Sequence, residues 1–313
     1  MQQQAYAAAL MDKINTAEDV EFTCANAVWN NSTILGDKVN TEYVDYIRNT
    51  FLAEYTMTEF SGKTVGEINE WIDEHTNHMI KQAIDDLDPY TVMVLVNAIA
   101  FEGEWEEAYT DDQVRDGVFT TSSGQTQDVT YLYDESHIFY ETDKATGFIK
   151  RYEGGQYAFV AILPKDESIS ANEFIRDFTP EDYEAFINSR TTDYNVYSKI
   201  PEFESDFELL MNDTIKDLGA GNIFTSDKAD LSGIAGAPGD IYVSKVIHKT
   251  HIEVDSNGTK AAAVTVVEAT LACCEEEVVV EEFRQVYCDR PFVYAIVDVD
   301  TMAPVFIGTV NAV

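Results

Sequence analysis

Two histidines, His75 and His78, stand three residues apart on a stretch of helical periodicity, with Glu74 directly before the pair. A zincin-type hydrolase needs histidines four apart, so that both rings share one helix face, and a glutamate directly after the first as general base. The spacing and the side on which Glu74 stands both miss that pattern, which leaves a solvated helix face. Neither a Gly-x-Gly-x-x-Gly run nor a complete P-loop is present to cradle a phosphate, and no Gly-x-Ser-x-Gly elbow raises a serine nucleophile. The glycine-rich stretch from Gly233 to Gly239 has no helix after it to donate amides and reads as a plain turn. Asp85-Asp86 and Glu275-Glu276-Glu277 read as solvated acidic surface. The four cysteines, Cys24, Cys273, Cys274 and Cys288, include no Cys-x-x-Cys pair and are too few and too uneven for a disulfide-stapled domain. The residues therefore predict no enzyme active site, no metal and no cofactor.

One stretch has a pattern that asks for a function. Residues 258–274 open with small side chains and continue with branched ones. A helix is disfavoured after Ala263, because Val264, Thr265, Val266 and Val267 in succession lose side-chain freedom there. As a strand the segment has two faces. Thr259, Ala261, Ala263, Thr265, Val267, Ala269 and Leu271, all small or apolar, share one face. Lys260, Ala262, Val264, Val266, Glu268 and Thr270 share the other, which carries both charges. No proline interrupts it, so it suits a buried central strand, yet it lies between an Asp255-Ser256-Asn257-Gly258 turn signal and an acidic run. On pattern alone an ordinary sheet strand stays open.

The elements around these residues predict a soluble α+β protein. Of 313 residues, 45% are hydrophobic and 25% charged, a globular composition. The formal net charge of -37 repels phosphate and excludes nucleic acid and anionic membrane as partners. No apolar run approaches the roughly 20 residues that span a bilayer, and the first residues lack the basic and apolar stretches of a signal peptide. Apolar periodicity predicts helices over 2–14, 40–54 and 64–84, the last with Thr64 and Glu67 as a capping box. Further helices are expected over 171–178, 180–189 and 207–218, the last stopped by Gly219. Strands are expected over 22–29, 91–101, 129–133, 138–140, 146–149, 157–163, 194–203, 242–254, 278–286, 292–299 and 305–310. Helices and strands come in irregular blocks rather than in βαβ alternation. With no repeat and no low-complexity linker, a single domain over 1–313 is expected.

Several stretches, in order, carry a resemblance. Ile68-Asn69, Trp71-Ile72, Thr76 and Ile80 lie on the long helix, followed by Val94-Leu95-Val96-Asn97-Ala98-Ile99-Ala100-Phe101-Glu102-Gly103-Glu104-Trp105. Then come Leu218-Gly219, Phe224, Ala229-Asp230-Leu231-Ser232-Gly233-Ile234 and Tyr242-Val243-Ser244-Lys245-Val246-Ile247-His248-Lys249. Residues 253–265, with Gly258 and the Ala261-Ala262-Ala263 run, and the closing Asp289-Arg290-Pro291-Phe292 and Phe306-Ile307-Gly308 complete the set. Together they resemble the serpins, of bacterial type, over essentially the whole chain. The resemblance begins partway along the family, in the helix before the strand 22–29, which implies an N-terminally incomplete member lacking the first helices and first strand.

The resemblance implies a serpin fold: a large central β-sheet, smaller sheets and surrounding helices. It implies a suicide-type inhibitor of serine proteases, not an enzyme, whose residues 255–277 form an exposed reactive-centre loop. After cleavage the loop would insert into the main sheet while the protease is still bound as acyl-enzyme, giving a covalent complex. The hinge would be Gly258, Thr259, Lys260, Ala261, Ala262, Ala263, Val264 and Thr265. Family spacing from Gly258 places the reactive bond at Ala272-Cys273, with cleavage after Leu271, Cys273 or Cys274 as alternatives because the stretch before Pro291 is long. A small residue before the bond implies an elastase-like target. Asn97 and His248 match a hydrogen-bonded latch in the main sheet, and Trp105 the aromatic where the loop first enters. A monomer acting outside the cell or at its surface is expected on the same basis. The alternative of another class is a non-inhibitory or degenerate serpin-fold protein acting as a substrate or binding protein.

Overall fold

The computed structural model describes residues 2–17, 19–88, 90–259 and 282–313. The chain forms two compact units, Met1–Phe101 with Ser205–Ile252 and Glu102–Glu204 with Glu253–Val313. Most of three strands, Met93–Glu104 (the central strand), Lys245–Val254 (the lead-in strand) and Phe203–Leu210, belongs to the first unit.

In the first unit the sheet runs in the order Phe203–Leu210, lead-in, central, Val20–Asn31, Glu54–Thr58. The lead-in and central strands pair directly in parallel, from Lys245 opposite Val94 to His251 opposite Ala100. Every second residue of these strands points the same way, and Ala25, Ala27, Trp29, Val94, Val96, Ala98 and Ile247 make one apolar face. Helix Gly62–Glu74 lies against it with Ile68 and Ile72 fully buried. Of the residues that carry the family pattern here, Ile68, Asn69, Trp71 and Ile72 lie on this helix, whereas Thr76 and Ile80 come after its end.

That helix is shorter than the periodicity of 64–84 suggests. It ends at Glu74, and Asn77 and His78 take left-handed φ angles of 49° and 62°. The chain then turns back, so that Ile80, Ala83, Ile84 and Leu87 join the same core from a non-helical segment. Asn69 holds this return: its Oδ1 accepts the Ala83 and Ile84 amides at 2.8 and 3.0 Å, and its Nδ2 donates to the Ile84 carbonyl at 2.9 Å. The cap also differs. Ser61 is the N-cap and its amide donates to Thr64 Oγ1 at 3.2 Å, so Thr64 occupies the third helical position rather than the cap itself.

Two other expectations are corrected. Residues 207–218 are not one helix: the strand Phe203–Leu210 comes first, and helical turns begin only at Asn212, α over Asn212–Ile215 and π over Lys216–Ala220, broken at Gly219 by a φ of 96°. Phe207, Leu210 and Met211 fit helical spacing, but the place beside the lead-in strand satisfies the backbone as a strand. Asn212 fixes the switch, donating to the Ser244 carbonyl at 2.8 Å and accepting the Val246 amide at 2.9 Å. The helix expected over 40–54 is Thr41–Phe51, capped by Asn40 and closed by Leu52 at φ 50°. Glu54 instead opens a strand parallel to Val20–Asn31.

The second unit holds a four-stranded sheet, Phe283–Tyr287, Asn195–Pro201, Thr126–Ser136 and Val114–Thr120 in order. It also holds a five-stranded sheet, Pro304–Val310, Phe292–Asp298, Tyr157–Pro164, Ala145–Arg151 and Tyr140–Glu141. Helices Ala171–Asp177 and Pro180–Asn188, each begun by a capping box, cover the latter through Phe174 and Phe186. Of the strand expected over 278–286, residues 278–281 lie outside the described residues, and the described strand is Phe283–Tyr287. No helix among the described residues is long and apolar enough to cross a membrane.

Candidate functional site

The lead-in strand delivers the chain to the turn at 255–257, where each carbonyl from 255 to 258 accepts a hydrogen bond. Trp105 Nε1 donates to the Asp255 carbonyl at 3.0 Å, and the Tyr109 amide to that of Ser256 at 2.9 Å. The Trp105 amide donates to the Asn257 carbonyl and the Asp255 amide to that of Gly258, both at 2.9 Å. Asp255 closes the turn with its side chain, Oδ1 accepting the Asn257 and Gly258 amides at 2.7 and 3.0 Å. Its charge has a neighbour of the same sign: burial first, and Asp255 second, push the Glu202 carboxyl above its usual range.

Gly258 and Thr259 then form a two-residue strand, with Gly258 opposite Glu104, Thr259 opposite Gly103, and Val254 opposite Thr259 on the other side. The glycine is required by space. A Cβ at 258 would stand 2.2 Å from the Gly103 carbonyl oxygen and 2.8 Å from Glu104 Cα, both backbone atoms. Thr259 is fully buried, and its hydroxyl meets the hydroxyl of Tyr152 at 2.7 Å. The Tyr152 ring, also fully buried, stacks on Trp105 with centroids 4.6 Å apart. Burial pushes the Tyr152 phenol well up, so it stays protonated and serves as a hydrogen-bonding group.

Within the first unit, Asn97 and His248 face each other across the central and lead-in strands. His248 Nδ1 lies 2.7 Å from Asn97 Oδ1; Asn97 Nδ2 donates to Asn26 Oδ1 at 2.9 Å, and Asn26 Nδ2 to the Phe51 carbonyl at 3.1 Å. The row has one direction, since each amide presents its NH2 to the next acceptor. His248 Nδ1 must therefore carry the proton. Burial lowers the His248 pKa. Cys24 sits beside this row, 3.7 Å from Asn97 Nδ2, and burial raises its thiol pKa.

The structure thus joins Asn97 with His248, and Trp105 with the turn that leads into Gly258 and, through Tyr152, with Thr259. Lys260, Ala261, Ala262, Ala263, Val264, Thr265, Leu271, Ala272, Cys273 and Cys274 lie outside the described residues. The sequence starts the exposed loop at Asp255, but Gly258 and Thr259 are buried in the sheet. Asn26, Cys24, Tyr109 and Tyr152 escaped the sequence reading. Asn26 left one signal, an amide inside an otherwise apolar strand; Tyr152 left none, because its partner is far away in the chain. His75 and His78 face different carboxylates, Nε2 of the first 2.9 Å from Glu54 and Nδ1 of the second 2.7 Å from Asp73. Among the described residues of the site no nucleophile is paired with a base. What it holds, by backbone pairing and by the Tyr152 hydroxyl, is the short strand Gly258–Thr259.

Comparison with known proteins agrees with this architecture. The sequence profile of the family described as Serpin (serine protease inhibitor) matches residues 1–313. Leukocyte elastase inhibitor A of Rattus norvegicus is 32% identical over 253 residues, 78% of this chain; the match spans 65% of that relative's length, a little under two thirds. A serpin-like protein of Methanosarcina mazei is 30% identical over 307 residues, covering 96% of this chain and 70% of its own. The native-state crystal structure of tengpin, a thermophilic serpin, superposes with a TM-score of 0.88 at 35% identity, covering all of this chain and 79% of its own. A profile match over the whole chain, with relatives at 30% identity and above, shows that the chain belongs to the serpin family.

Proposed function

We propose that the protein is a suicide-type inhibitor of elastase-like serine proteases, acting as a monomer outside the cell or at its surface. The observation that carries this reading is the seating of Gly258 and Thr259 between the lead-in and central strands, with the two-faced sequence continuing directly from them. The rat relative, named as a leukocyte elastase inhibitor, supports the protease class.

In this mechanism the protease serine attacks the carbonyl carbon of Ala272 and the Ala272–Cys273 peptide bond breaks. The leaving amine takes its proton from the protease histidine, and an ester joins the serine to Ala272. The loop then enters the sheet behind Thr259, with Ala261, Ala263 and Thr265 inward, where no charge or proline opposes burial. Each inserted residue contributes about 1 kcal/mol net in backbone hydrogen bonding, so roughly a dozen contribute on the order of 10 kcal/mol. That gain distorts the attached protease before water can cleave the ester.

The test is incubation of the purified chain with a pancreatic or neutrophil elastase, followed by a denaturing gel and mass spectrometry. The expected result is a covalent band at the summed mass and release of a peptide beginning at Cys273. Clean cleavage with no such band would overturn the inhibitory reading and leave a protease substrate of serpin fold.

A further inference from the structure

Thr259 is the first member of the inward row Thr259, Ala261, Ala263, Thr265, Val267, Ala269 and Leu271. A strand that starts one residue out of step turns all its side chains to the other face. For this segment the slip would drive Lys260 and Glu268 into the sheet, where unpaired charges are strongly disfavoured. The register of entry therefore has to be fixed before Lys260 is placed, and only 255–259 are available to fix it. The Asp255 turn and the close passage of Gly258 over Gly103 set the backbone. One side chain outside the hinge reads the register directly. Tyr152, buried and stacked on Trp105, bonds Thr259 Oγ1, the first side chain whose direction distinguishes the correct register from a slipped one.

We infer that Tyr152 is a positioning residue that pins the register of loop entry, and so sets how the acyl-enzyme partitions between trapping and hydrolysis. The inference rests on the inhibitory reading above. An entry that begins out of step has to withdraw, and the ester is open to water meanwhile. The pin acts before any of the loop beyond Thr259 is committed, which separates its effect from the total gain on insertion.

The decisive variant is Tyr152→Phe, which keeps the ring against Trp105 and removes only the hydroxyl. Titration against elastase reads the number of inhibitor molecules consumed per enzyme trapped, and hydrogen exchange reads protection of the Gly258 and Thr259 amides. Loss of one hydrogen bond predicts about a fivefold rise in turnover relative to trapping and about fivefold faster exchange at 258–259. The melting temperature of the uncut chain reports any general loss of stability. Thr259→Val should reproduce the effect, the double variant should add nothing to it, and Thr259→Ser should behave as wild type. Unchanged stoichiometry and exchange in Tyr152→Phe would overturn the inference. So would equal effects of Thr259→Ser and Thr259→Val, because a hydroxyl would then not be what matters. If the wild type forms no covalent complex, the inhibitory reading fails on its own. Exchange at 258–259 then decides the pin separately: acceleration in Tyr152→Phe retains it and no change removes it.

Discussion

At the scale of residues, His248 carries a consequence for pH. Burial lowers its pKa below the ordinary 6.5, so the unfolded chain binds the proton more readily than the folded one. The stabilisation this gives is complete at neutral pH and is lost as the pH falls below about 6.5 towards the lower folded value. Melting curves between pH 7.5 and 5 should show a smaller acid loss for His248→Gln, whose amide can still donate to Asn97 and does not titrate. An identical acid loss in the variant would place the sensitivity elsewhere. Asn97 is held on both sides, by His248 and by Asn26. Asn97→Ala leaves two polar groups without their partner and should cost about 1–3 kcal/mol in urea unfolding. Asn97, His248, Trp105 and Gly258 were legible in the sequence because the family pattern is written into contiguous stretches. Asn26 and Tyr152 act through contacts between distant segments, which no local spacing encodes.

At the scale of elements, the helix Gly62–Glu74 shows where periodicity misleads. Met79 and Ile80 keep helical spacing although the helix has ended, because the returning segment packs on the same apolar face. The stop comes from left-handed Asn77 and His78 and from the side chain of Asn69, and neither writes a glycine or proline signal. Strand Phe203–Leu210 misled in the same sense, because its apolar residues fit a helix until a neighbouring strand is supplied. The strands Met93–Glu104, Tyr157–Pro164 and Phe292–Asp298 were legible, since continuous branched and aromatic runs leave few other solutions. The helix–sheet contact makes a plain prediction. Ile72 is fully buried in it, so Ile72→Ala should destabilise the chain by about 2–5 kcal/mol in denaturant unfolding. A loss well under 1 kcal/mol would mean that this helix contributes little to the fold.

At the scale of the whole molecule, a net charge of -37 is a standing self-repulsion. Raising the salt from about 10 mM to about 150 mM shortens the screening length from about 30 Å to about 8 Å, and should raise the melting temperature of the intact chain. A fall would mean that attractive ion pairs outweigh the repulsion. The central claim, that residues beyond Thr259 enter the sheet once the loop is cut, has a direct measurement independent of the target protease. The chain is nicked within 260–277 by a protease it does not trap, kept as its two associated fragments, and melted beside the intact form. Unfolding entropy of about 2 cal/mol/K per residue over this length turns a gain on the order of 10 kcal/mol into a rise of about 15 °C in melting temperature. A nicked chain that melts at or below the temperature of the intact one would contradict loop insertion, and the inhibitory mechanism with it.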